Sequence, residues 1–263
     1  MDTTLDDIAF LADSANRVAV FEMLLEEPRT RNGIRDRVDA SRVTVARILR
    51  ELEERGWIEG SGRTHEVRPA GEWVCEEFTC LRGELEAEHR LREPLQWLPT
   101  EVLTFDVRCL RDAEVIPVEE CNSTAIVRRI VEFHRSGDRI RGVARESAPE
   151  AIENQWELTV HGETRVDMVI APDIVDAIRD HPPSARRFRE MLDQENARYS
   201  VYEEIPVSIG VVDGAVGINF TDEHGTPKGR LKTESETVHA WAVDLSETCR
   251  ERARPIDPDA IPV

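Results

Sequence analysis

The stretch "DASRVTVARILRELEERGWIEG", residues 39–60, decides the fold of the N-terminal part of this chain. Its apolar residues Val45, Leu49 and Leu52 follow the spacing i, i+4, i+7, which is typical of a helix with one buried face. Ser41 precedes the first turn and is a residue type favoured as an N-cap. The stretch therefore predicts a capped helix whose opposite face is exposed to solvent.

The flanking sequence adds the other parts of a winged helix-turn-helix. A short helix is expected over residues 5–12, a second helix begins after the cap Ser14, and a third lies in "RTRNGIRDRV", residues 29–38, with Thr30 as its cap. Asp39 and Ala40 form the turn, and Gly56 ends the helix that follows. "WIEGSGRTHEVRP" then predicts two strands around a glycine-rich tip. Residues 1–71 are therefore predicted to form a winged helix-turn-helix DNA-binding domain.

The charge of the chain is uneven along the sequence. The whole protein carries 34 basic and 53 acidic residues, a net charge of −19. Residues 29–68 contain ten arginines and seven acids, a local charge of +3, so the remainder carries −22. Positive charge is thus concentrated in the predicted winged helix. The abundance of acids, with only two lysines, resembles the composition of cytosolic proteins from salt-in halophiles.

Several side chains of this basic stretch are candidates for contact with double-stranded DNA. The exposed face of the helix capped by Ser41 is expected to enter the major groove, where arginine binds guanine and a small apolar side chain contacts a thymine methyl group. Hydroxyl groups at helix starts suit phosphate oxygens. The candidates are Arg29, Thr30, Arg31, Ser41, Arg42, Val43, Thr44, Arg47, Arg50, Arg63 and His65.

After residue 71 the pattern of the sequence changes. Residues 72–94 predict one long linker helix, which could contribute to a homodimer, and Pro94 is expected to end it. Residues 95–255 alternate between strand and helix patterns and predict an α/β (α+β) sensor or dimerisation domain with a central sheet. Strands are expected in "VLTFDVRCL" and "AEVIPV", and a hairpin at Asp213-Gly214. Residues 256–263 are expected to form a loose tail.

Motifs of known enzyme classes are missing from the sequence. The chain contains no G-x-S-x-G, Walker or G-x-G-x-x-G motif, and neither lysine follows a histidine by two positions, as phospholipase D chemistry requires. The five cysteines form no C-x-x-C pair, so no zinc site is predicted. Glu119, Glu120 and Cys121 are interpreted as surface acids beside a buried thiol. We therefore expect no enzyme, no cofactor and no metal.

The predicted partners are DNA, a second copy of the chain and a small-molecule effector. An effector would bind near strand ends of the second domain, where His161, Arg141, Glu203 and Asn219 are candidates. No apolar run reaches the roughly 18 residues of a membrane helix, and the acidic N-terminus is unlike a signal peptide, so a cytoplasmic location is expected.

The sequence resembles a known family over almost its whole length. "FLADSANRVAVFEMLLEEPRTRNGIRDRVDASRVTVARILRELEERGWIEGSGRTHEVRPAGEWV" resembles the winged helix of haloarchaeal transcriptional regulators. "RGVARES", "VDMVIAPDIVDAI", "EEIPVSIGVVDGAVGINFTDEHG" and "ETVHAWAVDLSETCRERARPI" are similar to the methanogenesis-regulator-like (FilR1) domain. The resemblance implies a DNA-binding regulator whose second domain senses a ligand or dimerises. The alternative is a winged-helix adaptor that binds proteins and does not bind DNA.

Overall fold

Two structural units make up the chain. The computed structural model describes residues 3–116, 123–222 and 226–261. The chain divides into residues 1–86 and 87–263, and each unit is described by itself. Glu119, Glu120 and Cys121, together with the end of the strand predicted in "AEVIPV", lie outside the described residues.

The first unit has the element order predicted for a winged helix-turn-helix. Four helices are followed by a hairpin, and a two-residue strand lies between the second and the third helix. The elements are α1 (Thr3–Ala12), α2 (Ala15–Glu26), β1 (Arg29–Thr30), α3 (Arg31–Arg35), α4 (Arg42–Glu54), β2 (Ile58–Ser61), β3 (Thr64–Val67) and the start of α5 (Pro69–Leu95).

Local side-chain bonds set the helix starts. The hydroxyl groups of Ser14, Thr30 and Ser41 each accept a hydrogen bond from a backbone N–H in the first turn of the helix that follows. The helix predicted in residues 29–38 has Thr30 as its cap, as expected, but it ends at Arg35 and is shorter than predicted. Residues 29–30 pair with β3 as a third strand of the wing sheet. Gly56 ends α4 with a φ of +71°, a conformation that costs glycine little.

The core of the first unit forms between α4 and the helices before it. Val45, Ile48, Leu49 and Leu52 are buried along one side of α4. Trp57 follows the helix and stacks on Phe21 of α2, with ring centroids 5.6 Å apart. The predicted apolar stripe of α4 is therefore its core face, and the predicted exposed face is free.

The second unit contains an eight-stranded mixed sheet. Its strand order is β11-β7-β6-β5-β8-β9-β10-β4, and only the β5–β6 and β6–β7 pairs are parallel. The elements are β4 (Glu114–Ile116), α6 (Ser123–His134), β5 (Arg139–Ala144), α7 (Pro149–Val160), β6 (Arg165–Ile170), α8 (Pro172–Asp180), α9 (Pro182–Leu192), β7 (Ala197–Val201), β8 (Ser208–Val212), β9 (Ala215–Thr221), β10 (Pro227–Thr233), α10 (Glu236–Arg252) and β11 (Arg254–Pro255).

Helices cover both faces of this sheet, so the mixed α/β class is confirmed. α10 packs against β5, β8 and β9, while α6, α7 and α9 pack against β10, β6 and β7. The alternation of buried residues along β6 shows the two faces, because Val169 belongs to one core cluster and Val166 and Met168 to the other. The predicted hairpin is present, with Asp213 at a φ of +50° in its turn.

Two segments differ from the prediction. "VLTFDVRCL", residues 102–110, is not a strand: one short 3₁₀-helix, Thr100–Val102, ends at its first residue, and a second, Val107–Leu110, is capped by the side chain of Asp106. Conversely, β10 was not predicted. Its sequence starts with proline and includes a glycine and two lysines, so its strand propensity is low, and pairing with β9 and β4 decides its conformation.

The linker helix is longer than predicted, and the C-terminal segment is not loose. α5 begins at Pro69, a residue favoured in the first turn, and ends one residue beyond Pro94. At the C-terminus β11 pairs with β7, and Ile261 is completely buried. The loose tail was predicted from the proline-rich sequence of this segment. That prediction was wrong, because Ile261 packs into the core of the second unit, a contact that the local sequence does not indicate. No described helix is both long and apolar enough to cross a bilayer.

Candidate nucleic-acid interface

The exposed side of α4 carries four of the predicted contact residues. Val43, Arg47 and Arg50 follow the spacing i, i+4, i+7 and so lie along one line of the helix, and Arg42 flanks them at its first turn. Among the large apolar side chains that the structure describes, Val43 is the most exposed, with 79% of its surface accessible. This is the side opposite to the buried stripe, so the fold holds these residues outward in one row.

The start of α4 is set by Ser41 and Thr44. The Ser41 hydroxyl accepts a hydrogen bond from the Thr44 backbone N–H at 3.1 Å, and the two side-chain oxygens lie 2.9 Å apart. Other N–H groups in the first turn of a helix have no partner within the helix and favour anions. The two hydroxyl groups therefore stand at a place where a phosphate oxygen is electrostatically favoured.

Four arginines of the first unit are available for an external anion. Within the described part of the chain, no carboxylate lies within 4.0 Å of the guanidinium groups of Arg31, Arg37, Arg42 and Arg63, and all four residues are exposed. Arg37 was not among the predicted contacts. Its position just before the turn, inside the basic stretch, was the signal that could have identified it.

Arg47 and Arg50 are only weakly held by their own helix. Arg47 lies 3.8 Å from Glu51 and Arg50 lies 3.5 Å from Glu54, and the arginine side chains are 52% and 65% exposed. Ion pairs this exposed contribute about 0–1 kcal/mol. Both guanidinium groups can therefore exchange these carboxylates for a stronger external partner at little cost.

Arg29 and His65 do not lie on this exposed surface. The Arg29 guanidinium is 11% exposed, donates to the Met23 carbonyl at 3.1 Å and pairs with Glu26 and Glu27. His65 Nδ1 lies 3.1 Å from a Glu53 carboxylate oxygen. The two residues oppose each other in the β1–β3 pair. These contacts stabilise the wing sheet. The sequence pattern could not distinguish this structural role from phosphate binding.

The wing presents Arg63 at its tip. Gly62 has a φ of +65°, and the Thr64 hydroxyl donates to the Ser61 carbonyl at 3.1 Å, so the turn is held on both sides of Arg63. Thr30 is engaged in capping Gly33 N at 3.1 Å, while Arg31 beside it is exposed. The wing and the start of α3 thus each contribute one free arginine to the first unit.

The four residues proposed for an effector site do not come together. His161 is exposed and packs edge-on against Trp156, Arg141 pairs with Glu247 at 3.1 Å, and Glu203 is exposed. Only Asn219 lines a sizeable cavity. Among the described residues, no group of three histidine, cysteine or acidic side chains is arranged to hold a metal ion.

The fold and the surface define a winged helix-turn-helix protein with a second, α/β domain. Comparison with family models supports the same division. The HVO_A0261 N-terminal domain matches residues 5–90, and the middle domain of the methanogenesis regulatory protein FilR1 matches residues 123–252. The chain belongs to the family of haloarchaeal winged helix-turn-helix transcriptional regulators that carry a FilR1-type domain. It is therefore a DNA-binding regulator of transcription in the broad sense.

Comparison with solved structures finds distant similarity only. TrmBL2, an archaeal chromatin protein, is 12% identical with a TM-score of 0.43, covering 92% of this chain and 94% of its own. Nuc, a phospholipase D family member from Salmonella typhimurium, is 13% identical with a TM-score of 0.41, covering 55% of this chain and 97% of its own. These scores carry no argument about activity. No curated protein matches the chain.

Proposed function

We propose that the protein is a sequence-specific regulator that reads double-stranded DNA by placing α4 in the major groove. The observation that carries this proposal is the row formed by Val43, Arg47 and Arg50, held outward by a fully buried stripe on the other side of the helix. A row that combines guanidinium groups with an exposed apolar side chain suits base edges, because guanidinium groups donate to guanine and an apolar side chain contacts a thymine methyl group.

Base contacts and backbone contacts are assigned to different residues. Arg42 and Arg47 are proposed to contact guanine, and Val43 a thymine methyl group, because these lie in the half of α4 nearest its start. Phosphate contacts are assigned to side chains at the edges of this row, where position and charge matter but sequence is not read. These are Arg31, Arg37, Ser41, Thr44, Arg50 and Arg63.

Selection of binding sites from a random duplex pool tests sequence specificity. The full chain, purified in concentrated KCl, should enrich a defined motif. Arg42→Ala combined with Arg47→Ala should weaken binding to that motif about 100-fold or more, because each bidentate contact to guanine contributes about 1–3 kcal/mol. Recovery of no motif by the folded protein would exclude sequence-specific binding and favour the adaptor alternative.

A matched arginine outside the proposed surface provides the control. Arg92 is 65% exposed and pairs with Glu88, four residues away on the same helix, and Arg47 likewise pairs with a glutamate four residues away, Glu51. Arg92→Ala should leave DNA affinity unchanged. An equal loss in this variant would show that binding depends on overall charge and not on the row on α4.

A homodimer is part of this proposal, and residues 73–85 of α5 supply its surface. Trp73, Leu81 and Leu85 are 69%, 51% and 50% exposed, and spacings of eight and four residues place them on one side of the helix. Three large apolar side chains in a row on an exposed helix are suited to a second copy of the same helix. Two copies would present two recognition helices to two half-sites.

The molar mass of the protein in solution, measured by light scattering after size-exclusion chromatography, tests whether it is a dimer. Leu81→Glu or Leu85→Glu should convert the dimer into a monomer and lower affinity for a two-half-site duplex more than for a single half-site. Gly83→Glu is the control, because Gly83 is exposed on the same helix and a side chain there meets no other atom within 4 Å. A wild-type protein that elutes as a monomer at all concentrations would refute this arrangement.

The second unit is proposed to bind an effector and not to catalyse a reaction. Lys228 follows Thr226, and Lys232 follows Arg230, by two positions, so the His-x-Lys pair of phospholipase D is missing from the sequence. An effector that binds one conformation of the dimer better than another would change the spacing of the recognition helices and hence the affinity for DNA.

A further inference from the structure

A cavity of about 240 Å³ lies in the second unit between the sheet and α6. Its wall is mainly apolar. The apolar side chains come from α6 and from β6, and include Ile126, Ile130, Phe133 and Met168. The volume is below the range of roughly 300–1,000 Å³ that is typical of sites for drug-sized ligands. A ligand for this cavity is therefore small and largely apolar.

Arg230 of β10 and Glu146 are the charged residues that line this cavity. Arg230 is only 4% exposed. Its Nη1 donates to the Asn219 side-chain oxygen, and its guanidinium carbon lies 5.1 Å from the centre of the Phe133 ring. Its Nη2 is buried without a hydrogen-bond partner. In the part of the chain that the structure describes, no carboxylate lies within 4.0 Å of this guanidinium.

A buried cation that no carboxylate contacts is unfavourable for folding. Removing an ion from water costs several kcal/mol, and native proteins offset that cost by pairing it. Burial lowers the pKa of Arg230 to about 10, which leaves it charged at neutral pH. Next to it His134 Nδ1 is also buried and unpartnered, and burial together with Arg230 lowers the pKa of His134 to about 4. The positive charge of Arg230 is therefore offset only in part, by an electrostatic interaction with Glu114 of β4, which does not pair with it within 4.0 Å.

The sheet beneath Arg230 is shaped to hold its guanidinium. Gly210 and Gly217 are directly opposed in the β8–β9 pair. A Cβ atom at Gly217 would lie 2.6 Å from Arg230 Nη2, and one at Gly210 would lie 3.4 Å from the Phe133 ring. Glycine at position 217 therefore leaves the space that the Arg230 side chain occupies. The backbone at Gly217 therefore fixes the orientation of the Arg230 guanidinium.

We propose that this cavity binds a small organic carboxylate with an apolar body, and that the carboxylate pairs with Arg230. The proposal rests on the effector-binding role given above and names its site and ligand class. A single guanidinium with one free nitrogen matches one carboxylate. Glu146 lines the same cavity, and its carboxyl group disfavours a ligand with a second negative charge.

Thermal unfolding and titration calorimetry of the full chain in concentrated KCl test the ligand class. The probes are benzoate, phenylacetate and hexanoate, each compared with its primary amide, which has nearly the same shape without the charge. At about 100 times its Kd, a bound carboxylate should raise the Tm by about 5–10 °C. The amides should give no shift. Failure of all three carboxylates, or equal binding of the amides, would overturn the proposal.

Substitution of Arg230 tests the site. Arg230→Met should weaken carboxylate binding by about tenfold to a hundredfold, because a hydrogen bond to a charged group contributes about 1.5–3 kcal/mol. It should not lower the Tm of the unliganded protein, because it removes an unpaired buried charge. Lys232→Met removes a partly exposed charge two residues along the same strand and should bind as the wild type does. Unchanged affinity in Arg230→Met would refute the site.

DNA binding measured in parallel separates this inference from the proposed function. If the unliganded protein selects a DNA motif but binds no carboxylate, only the ligand assignment fails. If carboxylates bind through Arg230 and no motif is selected, the DNA-reading function fails and the ligand site stands. The amide comparison uses wild-type protein alone, so the ligand class is decided even if Arg230→Met does not fold.

Discussion

Val43 and Arg230 each occupy an environment opposite to the polarity of the side chain. Val43 is apolar and 79% exposed, whereas Arg230 is charged and 4% exposed. Each placement opposes what folding alone favours, since burial of Val43 and exposure of Arg230 would both lower the free energy of the chain. Both residues lie where the proposed partners bind, a base edge in one case and a carboxylate in the other.

The buried imidazole of His134 makes stability depend on pH. Its pKa is about 4 in the folded protein, against an ordinary value of 6.5, so the unfolded chain binds more protons between these values. Stability is then complete above pH 6.5 and decreases toward pH 4, by up to about 1.4 kcal/mol per pH unit. Between pH 7 and pH 4 the free energy of unfolding, measured with denaturant, should decrease less for His134→Gln than for the wild type.

An exposed histidine provides the control for this measurement. His89 is 66% exposed on α5, and His89→Gln should follow the wild-type pH curve. Because carboxylates also titrate in this range, the relevant quantity is the difference between the two variants. Parallel curves for His134→Gln and His89→Gln would refute the role of the buried imidazole.

At the scale of elements, the termini of the sheet show how tertiary contacts decide conformation. The sequence predicts a loose tail after residue 255, yet the Ile256 N–H donates to the Tyr199 carbonyl and Arg189 donates to the Ile261 carbonyl. Ile261 belongs to the same core cluster as Phe188 and Met191 of α9. The C-terminal segment is therefore part of the folded second unit.

Truncation of the Ile261 side chain should destabilise that unit. Ile261 is completely buried, so Ile261→Ala leaves a cavity as well as losing transfer free energy, and we expect the free energy of unfolding to fall by about 2–4 kcal/mol. Denaturant unfolding measures it. Val107→Ala, at a position 43% exposed in the same unit, should change it by less than about 0.5 kcal/mol. Equal effects would mean that the C-terminal segment detaches in solution.

At the scale of the whole molecule, acidic charge opposes both compactness and DNA binding. The chain carries −19 overall, while residues 29–68 carry +3. Screening reduces the reach of charge from about 10 Å at 0.1 M salt to about 3 Å at 1 M. In concentrated salt only charges in direct contact with phosphate then matter, and those on the exposed surface of the first unit include Arg31, Arg42 and Arg63.

Salt should therefore stabilise this protein. Raising KCl from dilute to molar concentrations should raise the Tm, because it screens repulsion among 53 acidic side chains. Scanning calorimetry measures the shift, and affinity for the selected DNA motif should not fall as steeply with salt as it does for basic DNA-binding proteins. A nonionic solute such as sucrose at equal osmolarity is the control. An equal Tm increase in sucrose would contradict the screening explanation.

The sequence by itself determined the winged helix and most of its exposed row. The apolar period of α4, the caps Ser14, Thr30 and Ser41 and the stop at Gly56 are local signals, and local signals are set by neighbouring residues along the chain. The mixed α/β class of the second unit followed in the same way from alternating strand and helix patterns, and the hairpin from its Asp-Gly turn.

Tertiary structure alone decided which charged residues are free and which are engaged. Arg29 and Arg31 are nearly adjacent in the sequence, yet Arg29 is held by two glutamates and Arg31 is exposed. Strand β10, the packed C-terminus and the buried Arg230 depend on partners far away in the chain, which no local pattern specifies. The burial and pairing of a side chain are properties of its three-dimensional neighbours, and these exist only once the chain has folded.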